Sequence, residues 1–482
     1  MKRIATVVSI ACLASVVSGC SFLDFFGYKD NAPLHVVERP EGYPTILFGS
    51  EMAAMTYRLG EETSDLVAVS GGAKYPTAIY RLSHNGKLSN VDDFYDEYLM
   101  NEKDKADSSG SGASLAGLST WTDEERYTGC FAVGEPEANQ VRIICEQDKE
   151  RFTIAASATG ETVEEFGCQV AAVPPVAGDS WLLAAASEET VTVFSSSKYA
   201  AENRSNTVRP TWDGAPVSEP IVELAAGRLS DGRFFVAATT SDDDSELPDQ
   251  IHLFIQAAPA SMDLVESACL NRTGEDGFGG VMTTGDLDGD GNDELVVSAG
   301  YSEERVDAVY IWEISQLAAA APTCNSDTPD PGATIYPEDG PLDVSCEEGE
   351  ACDFGFALAV GDISTDDDGP ELIVGAPGAR VEGRSGAGAA YVYRGAEISL
   401  DGSDGTPVAS RVAHSTPEKG YRFGGGLVVA SAAGRNELLV GATGKGHMII
   451  TYCTGVGEDI EEGADVTTNA SGSVVSTRCR PE

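Results

Sequence analysis

The chain has 482 residues, with 53 glycines, 42% hydrophobic residues and a formal net charge of −47. So negative a surface repels nucleic acid and anionic lipid headgroups, which argues against both as direct ligands. The composition is globular, its richness in Gly, Ser and Ala favours short strands with many turns over long helices, and the length suits either several domains or one large repeat fold.

In chain order, the first elements bear on the compartment. Met1-Lys2-Arg3 is a short basic start, and Ile4 to Val17 is a mostly apolar run too short to span a bilayer as a stable helix. Val17-Ser18-Gly19-Cys20 closes it. Charge, run and cysteine in that order resemble the signal peptide and lipobox of bacterial lipoproteins. The resemblance implies cleavage before Cys20, a lipid on its thiol and contact with the membrane through that lipid alone. Ser21 follows the cysteine, which in Gram-negative lipoproteins goes with outer-membrane delivery. Residues 1–19 are therefore expected to be signal peptide and 20–33 a lipidated tether. No later stretch holds the ~18 uninterrupted apolar residues that a further span requires.

From residue 34 a repeat takes over. Phe-Gly is followed, four residues after the Phe, by an apolar residue, then a turn, then a short apolar strand. The copies begin at Phe48, Phe166, Phe278, Phe354 and Phe423, with Met52, Val170, Met282, Leu358 and Leu427 at plus four. The second strands read Leu66–Val69, Leu182–Ala185, Leu295–Ser298, Leu372–Gly375 and Leu438–Gly441. Such continuous apolar runs fit strands covered on both faces. Two further copies lack Phe-Gly. One starts at Pro220-Ile221, and the most divergent spans about Ser114 to Cys145. Seven units result. None is large enough to bury its own sheet, so they must stack, and a closed ring is the natural solution. Between them, Asn90 to Ser114 predicts a short helix (around 92–99) and a loop, while Asn325 to Asp343 and Asp401 to Thr416 read as surface loops. Residues 456–482 form an acidic tail.

One loop carries clear chemistry. Asp286-Leu287-Asp288-Gly289-Asp290-Gly291-Asn292-Asp293-Glu294 sets carboxylates at positions one, three, five and nine around a reversing glycine. Calcium takes six to eight hard oxygens. The expected ligands are Asp286, Asp288, Asp290, the Asn292 carbonyl and Glu294. An EF-hand is excluded, because its twelfth position falls on Val297 in an apolar strand. A second loop, Asp362 to Glu371, is one residue longer; Asp362, Ser364, Asp366, Asp368 and Glu371 are its candidate ligands. Arg228–Gly232 and Ser431–Arg435 occupy the same slot without enough carboxylates and are expected to be metal-free.

Gly277-Phe278-Gly279-Gly280 leading into Gly285-Asp286-Leu287-Asp288-Gly289-Asp290-Gly291 resembles an FG-GAP repeat of integrin α-subunit propellers and their bacterial relatives. Phe354-Gly355 through Gly361-Asp362 to Gly375-Ala376-Pro377 is a second match. The resemblance covers roughly residues 34–455. It implies an all-β fold, a seven-bladed β-propeller of FG-GAP repeats, with Ca2+ in loops joining the first two strands of some blades.

Nine cysteines lie beyond Cys12 and Cys20, an odd number, and no CxxC is present; this fits an oxidising compartment without a zinc or redox dithiol. Cys130 with Cys145, Cys269 with Cys324, Cys346 with Cys352 and Cys453 with Cys479 are the candidate disulfides, and Cys168 is expected to be a buried free thiol. The five histidines are scattered, His252 and His447 reading as structural, and no nucleophile elbow or phosphate loop is present. The expected function is a cell-surface, calcium-binding scaffold for a protein or glycan partner. The alternatives are a propeller enzyme acting on polysaccharide, with its site at the central channel, and a structural subunit of an envelope complex.

Overall fold

The computed structural model describes residues 34–453, apart from connecting segments. The longer of these are 39–48, 71–76, 83–87, 91–113, 119–129, 160–164, 174–181, 196–203, 242–248, 273–276, 300–307, 338–351, 364–368 and 401–408. The signal, tether, helix expected at 92–99 and acidic tail lie outside the described residues.

Nearly everything described is strand, and the strands come in fours. β1 (Leu34–Glu38) stands first. The sets that follow are β2 (Met52–Leu59), β3 (Glu62–Val69), β4 (Ala78–Leu82) and β5 (Leu88–Asn90); then β6 (Leu115–Leu118), β7 (Cys130–Glu135), β8 (Gln140–Gln147) and β9 (Arg151–Thr159); then β10 (Val170–Val173), β11 (Leu182–Ala186), β12 (Val191–Ser195) and β13 (Arg204–Val208). A two-stranded hairpin, β14 (Thr211–Trp212) with β15 (Ala215–Pro216), intervenes. Next come β16 (Ile221–Arg228), β17 (Phe234–Thr240), β18 (Gln250–Gln256) and β19 (Leu264–Asn271). After them, β20 (Met282–Gly285), β21 (Glu294–Ala299), β22 (Ala308–Glu313) and β23 (Ala333–Ile335) enclose helix α1 (Ile314–Ala320). The last are β24 (Leu358–Gly361), β25 (Glu371–Ala376), β26 (Ala389–Arg394) and β27 (Ala409–Val412), followed by β28 (Phe423–Ala432), β29 (Arg435–Ala442) and β30 (Met448–Cys453). All pairing inside the sets is antiparallel, and β1 returns to pair with β30. The first described strand thus completes the sheet that holds the last one and covers an edge.

First strands pack against first strands: β2 on β6, β6 on β10, β10 on β16, β16 on β20, β20 on β24, β24 on β28, and β28 back on β2. The circuit closes, so the fold is a β-propeller. The expectation of seven separate sheets is corrected in one respect. Hydrogen bonding resolves six sheets of four or more strands, because Ala432 pairs with Ser64 and fuses the β2–β5 set to the β28–β30 set as one eight-stranded sheet.

The cores lie in the seams between neighbouring sets. Leu295 and Val297 of β21 point back to Phe235, Ile251 and Leu253 of the preceding set. Val296, between them, points forward to Phe354, Leu372 and Val374 of the next. This alternation explains why the second strands carry no polar face: β17, β21 and β25 are buried at every position. Each side chain of such a strand is a core residue, in one seam or the other.

The Phe-Gly pair makes the corner that starts five of the sets. In four of the five copies the plus-four residue opens the first strand (Met52, Val170, Met282, Leu358), and in the last copy β28 starts at Phe423 itself. The glycines take left-handed backbone: Gly49, Gly167, Gly279, Gly355 and Gly424 have φ between 81° and 93°. Their amides close a repeated clamp. Gly279 N–H donates to Ser298 O, and Ser298 N–H returns to Val281 O, both at 2.9 Å; Gly49 with Ser70, Gly167 with Ala186 and Gly355 with Gly375 do the same. Phe166, Phe278 and Phe354 are buried against the third-strand aromatics Phe194, Tyr310 with Trp312, and Tyr391. A Cβ on Gly279 would lie 2.6 Å from Thr239 Oγ1 of the preceding set. The corner therefore needs glycine for its dihedral and for the close seam.

A disulfide, Cys269–Cys324, ties β19 to the segment after α1 in the next set. The backbone bond from Cys269 N–H to Pro322 O and that from Asn271 N–H to Thr328 Oγ1 (both 2.8 Å) reinforce the join. Cys130 is disulfide-bonded and lies directly opposite Cys145 in the ladder. Cys352 is also bonded; Cys346, Cys479 and the side chain of Cys453 lie outside the described residues. Among those residues no helix is long and apolar enough to cross a membrane.

Two outcomes are expected. Gly279→Ala should lower the unfolding free energy measured by chemical denaturation by about 1–3 kcal/mol, from left-handed strain plus overpacking of the seam; an unchanged value would contradict the corner's role. Replacing Cys269 and Cys324 together with Ala should cost roughly 2–4 kcal/mol by the same measurement, and a cost near zero would show that the seam's hydrogen bonds suffice.

Candidate metal centre

The loop between β20 and β21 forms because two glycines, Gly289 and Gly291, take φ of 77° and 88° and turn the chain back within a few residues. Asp288 Oδ1 accepts the Asp290 N–H (3.0 Å), Asp290 Oδ1 the Asn292 N–H (2.7 Å) and Asp286 Oδ2 the Gly291 N–H (3.1 Å). These bonds shape the loop while leaving other oxygens free to converge. One carboxylate oxygen each from Asp286, Asp288 and Glu294 lies within 4.8 Å of the others.

Glu294 is the informative member. It opens β21, is 0% exposed, and accepts the Leu287 N–H on Oε2 at 2.7 Å. Its other oxygen, Oε1, is buried without a hydrogen-bond partner, and so is Asp286 Oδ1. Buried carboxylate oxygens in native proteins are nearly always satisfied, because stripping one of water without replacement costs heavily. Burial first, and then the charges of Asp288, Asp286 and Asp290, push the Glu294 carboxyl up to about 8, against the opposing hydrogen bond from Leu287. Asp288 and Asp293 are raised as well, burial leading in both. A divalent cation would satisfy the two orphaned oxygens and cancel the repulsion, so the residues present fit calcium.

The structure assembles part of the expected ligand set. Asp286, Asp288 and Glu294 converge, whereas both Asp290 oxygens face the Asn292 amide at 2.9 Å. Asn292 also turns its side-chain oxygen to the preceding blade, accepting from Ser230 N–H and Oγ at 2.9 Å each. In the longer loop, Asp362 is exposed and Glu371 is 1% exposed. Glu371 Oε2 accepts the Ile363 N–H at 2.8 Å, as Glu294 does from Leu287. Ser364, Asp366 and Asp368 lie outside the described residues. In the Arg228–Gly232 slot, Arg233 Nε engages the Asp231 carboxylate at 2.7 Å.

His252 is buried on β18, with Nδ1 2.7 Å from Glu266 Oε1 and Nε2 3.3 Å from Thr240 Oγ1. Its neighbours Cys269 and Cys324 are bonded to each other, so they supply no thiolates. Thr240 and His252 are 1% and 0% exposed, sealed inside a blade. Cys168 is a free thiol, half-buried rather than fully buried; burial leads the effects that push it up to about 12, which keeps it unreactive. The sequence reading missed two carboxyls at equivalent places in their repeats, Glu51 just before β2 and Glu223 within β16. Desolvation pushes Glu51 up to about 7, although it keeps solvent contact, and raises Glu223, on which the Glu51 charge also acts.

The family model described as FG-GAP repeat matches residues 278–312, the segment that holds this loop. No curated protein matches the chain by sequence. Among solved structures, the chain is similar to BBS1N, in a crystal structure of its complex with ARL6DN soaked with lead, at 10% identity over 88% of this chain and 96% of that one, with a TM-score of 0.45. It is likewise similar to the Dos1 propeller, at 11% identity over 86% and 95%, with a TM-score of 0.46.

The raised Glu294 carboxyl fixes a pH signature for chelated protein. Below about pH 4.5 the group is protonated in both folded and unfolded chains. Between about 4.5 and about 8 the unfolded chain releases this proton and the folded chain keeps it. Stability from this group therefore falls as pH rises through that window and levels off above it. Urea midpoints of chelated protein should show a shallower fall in Glu294→Gln than in wild type; identical profiles would exclude the buried-acid account.

Proposed function

We propose that this FG-GAP β-propeller is a calcium-stiffened binding scaffold, anchored through a lipid on Cys20 and displayed at the outer membrane. The observation that carries the calcium assignment is the pair of buried, unpartnered oxygens on Asp286 and Glu294 beside Asp288. Asp290 and the Asn292 carbonyl complete the set once the Asp290 carboxylate turns inward. Asp362 and Glu371, with Ser364, Asp366 and Asp368, are proposed as a second site on the strength of the shared glutamate bond to the loop backbone. We count seven blades, taking the eight-stranded sheet as two. Support comes from the closed circuit of first strands and from the packed core between the β2–β5 and β28–β30 sets, where Val67, Val69 and Tyr80 meet Ala430 and Leu439.

Calcium in such a loop holds the turn rigid and performs no chemistry. The partner is a protein or glycan met by loops at one end of the ring, since loops carried on a rigid scaffold are where binding concentrates. The N-terminal strand that closes the ring also receives the tether, so anchorage and ring closure meet at one blade.

Calcium in excess should raise the melting temperature of chelated protein, by the equivalent of about 2.7 kcal/mol at a hundred times the dissociation constant. Asp288→Ala should remove most of that rise, and equal melting with and without calcium would sink the assignment. Cys20→Ser should shift the protein from the membrane to the soluble envelope fraction; unchanged fractionation would refute the anchor. A pull-down from the organism's own envelope extract would then identify the partner.

A further inference from the structure

The calcium loop does not stop at its own blade. Asp293 and Asn292 sit at the eighth and seventh loop positions and reach across the seam to the metal-free loop Arg228–Gly232. Asp293 Oδ2 accepts the Arg228 N–H at 2.6 Å, and Asp293 N–H donates to Arg228 O at 2.8 Å. Asn292 Oδ1 accepts both the N–H and the Oγ–H of Ser230 at 2.9 Å, while its amide nitrogen holds Asp290. Thr284 Oγ1 donates to Ala226 O at 2.7 Å just above them. Gly227 lies at the same place: a Cβ there would come 2.6 Å from the Phe235 ring of its own blade and 3.0 Å from the Asp293 Cβ across the seam.

We propose that Asn292 and Asp293 are positioning residues that link cation binding to the neighbouring blade. The proposal rests on the calcium reading above. Asn292 lies two residues after Asp290 and holds Ser230 of the previous blade, and Asp293 directly precedes the buried Glu294. A cation that fixes Asp290 and Glu294 fixes the three residues between them, Asn292 and Asp293 included, and with them the amides of Arg228 and Ser230, which supply no ligand. Linkage is reciprocal: whatever holds Ser230 and Arg228 in place raises the affinity of the loop for calcium. The metal-free slot is thus the docking partner of the metal loop, a role its short acidic content conceals.

Hydrogen exchange of the lipid-free mature chain, resolved by residue, tests this with calcium alone as the probe. Calcium should slow exchange at Leu287, Asp290 and Gly291, and also at Arg228 and Ser230, by tenfold or more. Asn292→Ala keeps the backbone carbonyl. It should retain the protection within 286–294, lose that at Ser230, and bind calcium about fivefold or more weakly. Protection confined to 286–294 in wild type, or an Asn292→Ala affinity equal to wild type, would overturn the link while leaving the calcium site intact. Protection in neither loop would overturn the calcium reading and the link with it.

Discussion

The second strands β17, β21 and β25 are buried at every position, and no blade can cover both of their faces alone. Leu295, Val296 and Val297 feed two different cores on alternate residues, so the blade that contains them is stable only between two others. The ring follows from this requirement, because a linear stack would leave its end blades with an exposed apolar face. The closed circuit of first strands removes that problem, and β1 on β30 covers the edge of the last set.

The corner glycines make the stacking tight. Their left-handed dihedral allows one amide to reach the end of the second strand, and their missing side chain lets the next blade approach. The same economy governs the loops at the other end of the first strands. Glu294 and Glu371 each open a second strand, bury their carboxyls and accept an amide two residues into the loop's start. In the first of these loops Asp286 and Glu294 are each left with one buried oxygen that no hydrogen bond satisfies.

Much of this was legible in the residues. The Phe-Gly period located five corners, and spacing alone recovered the β16–β19 and β6–β9 sets, whose corners lack that signature. Other features were not legible. The hairpin β14–β15 and the helix α1 fall in linkers with no periodic signal. The joining of two sets through Ala432 and Ser64 depends on how the ring closes, which no local pattern encodes. Asn292 read only as the source of a carbonyl ligand, and Asp293 had no role in the motif. Their partners, Ser230 and Arg228, are more than 60 positions away and in a loop set aside for lacking carboxylates.

By itself the sequence determined the repeat, most strand positions and the acidic loop, because each depends on residues close together in the chain. Dihedral demands, alternation and ligand spacing are local properties. Only the tertiary structure decided which oxygens converge and which turn away, and which blade each loop leans on. Those outcomes depend on burial and on partners brought across a seam, and the acidic loop that looked self-contained proved to be joined to its neighbour.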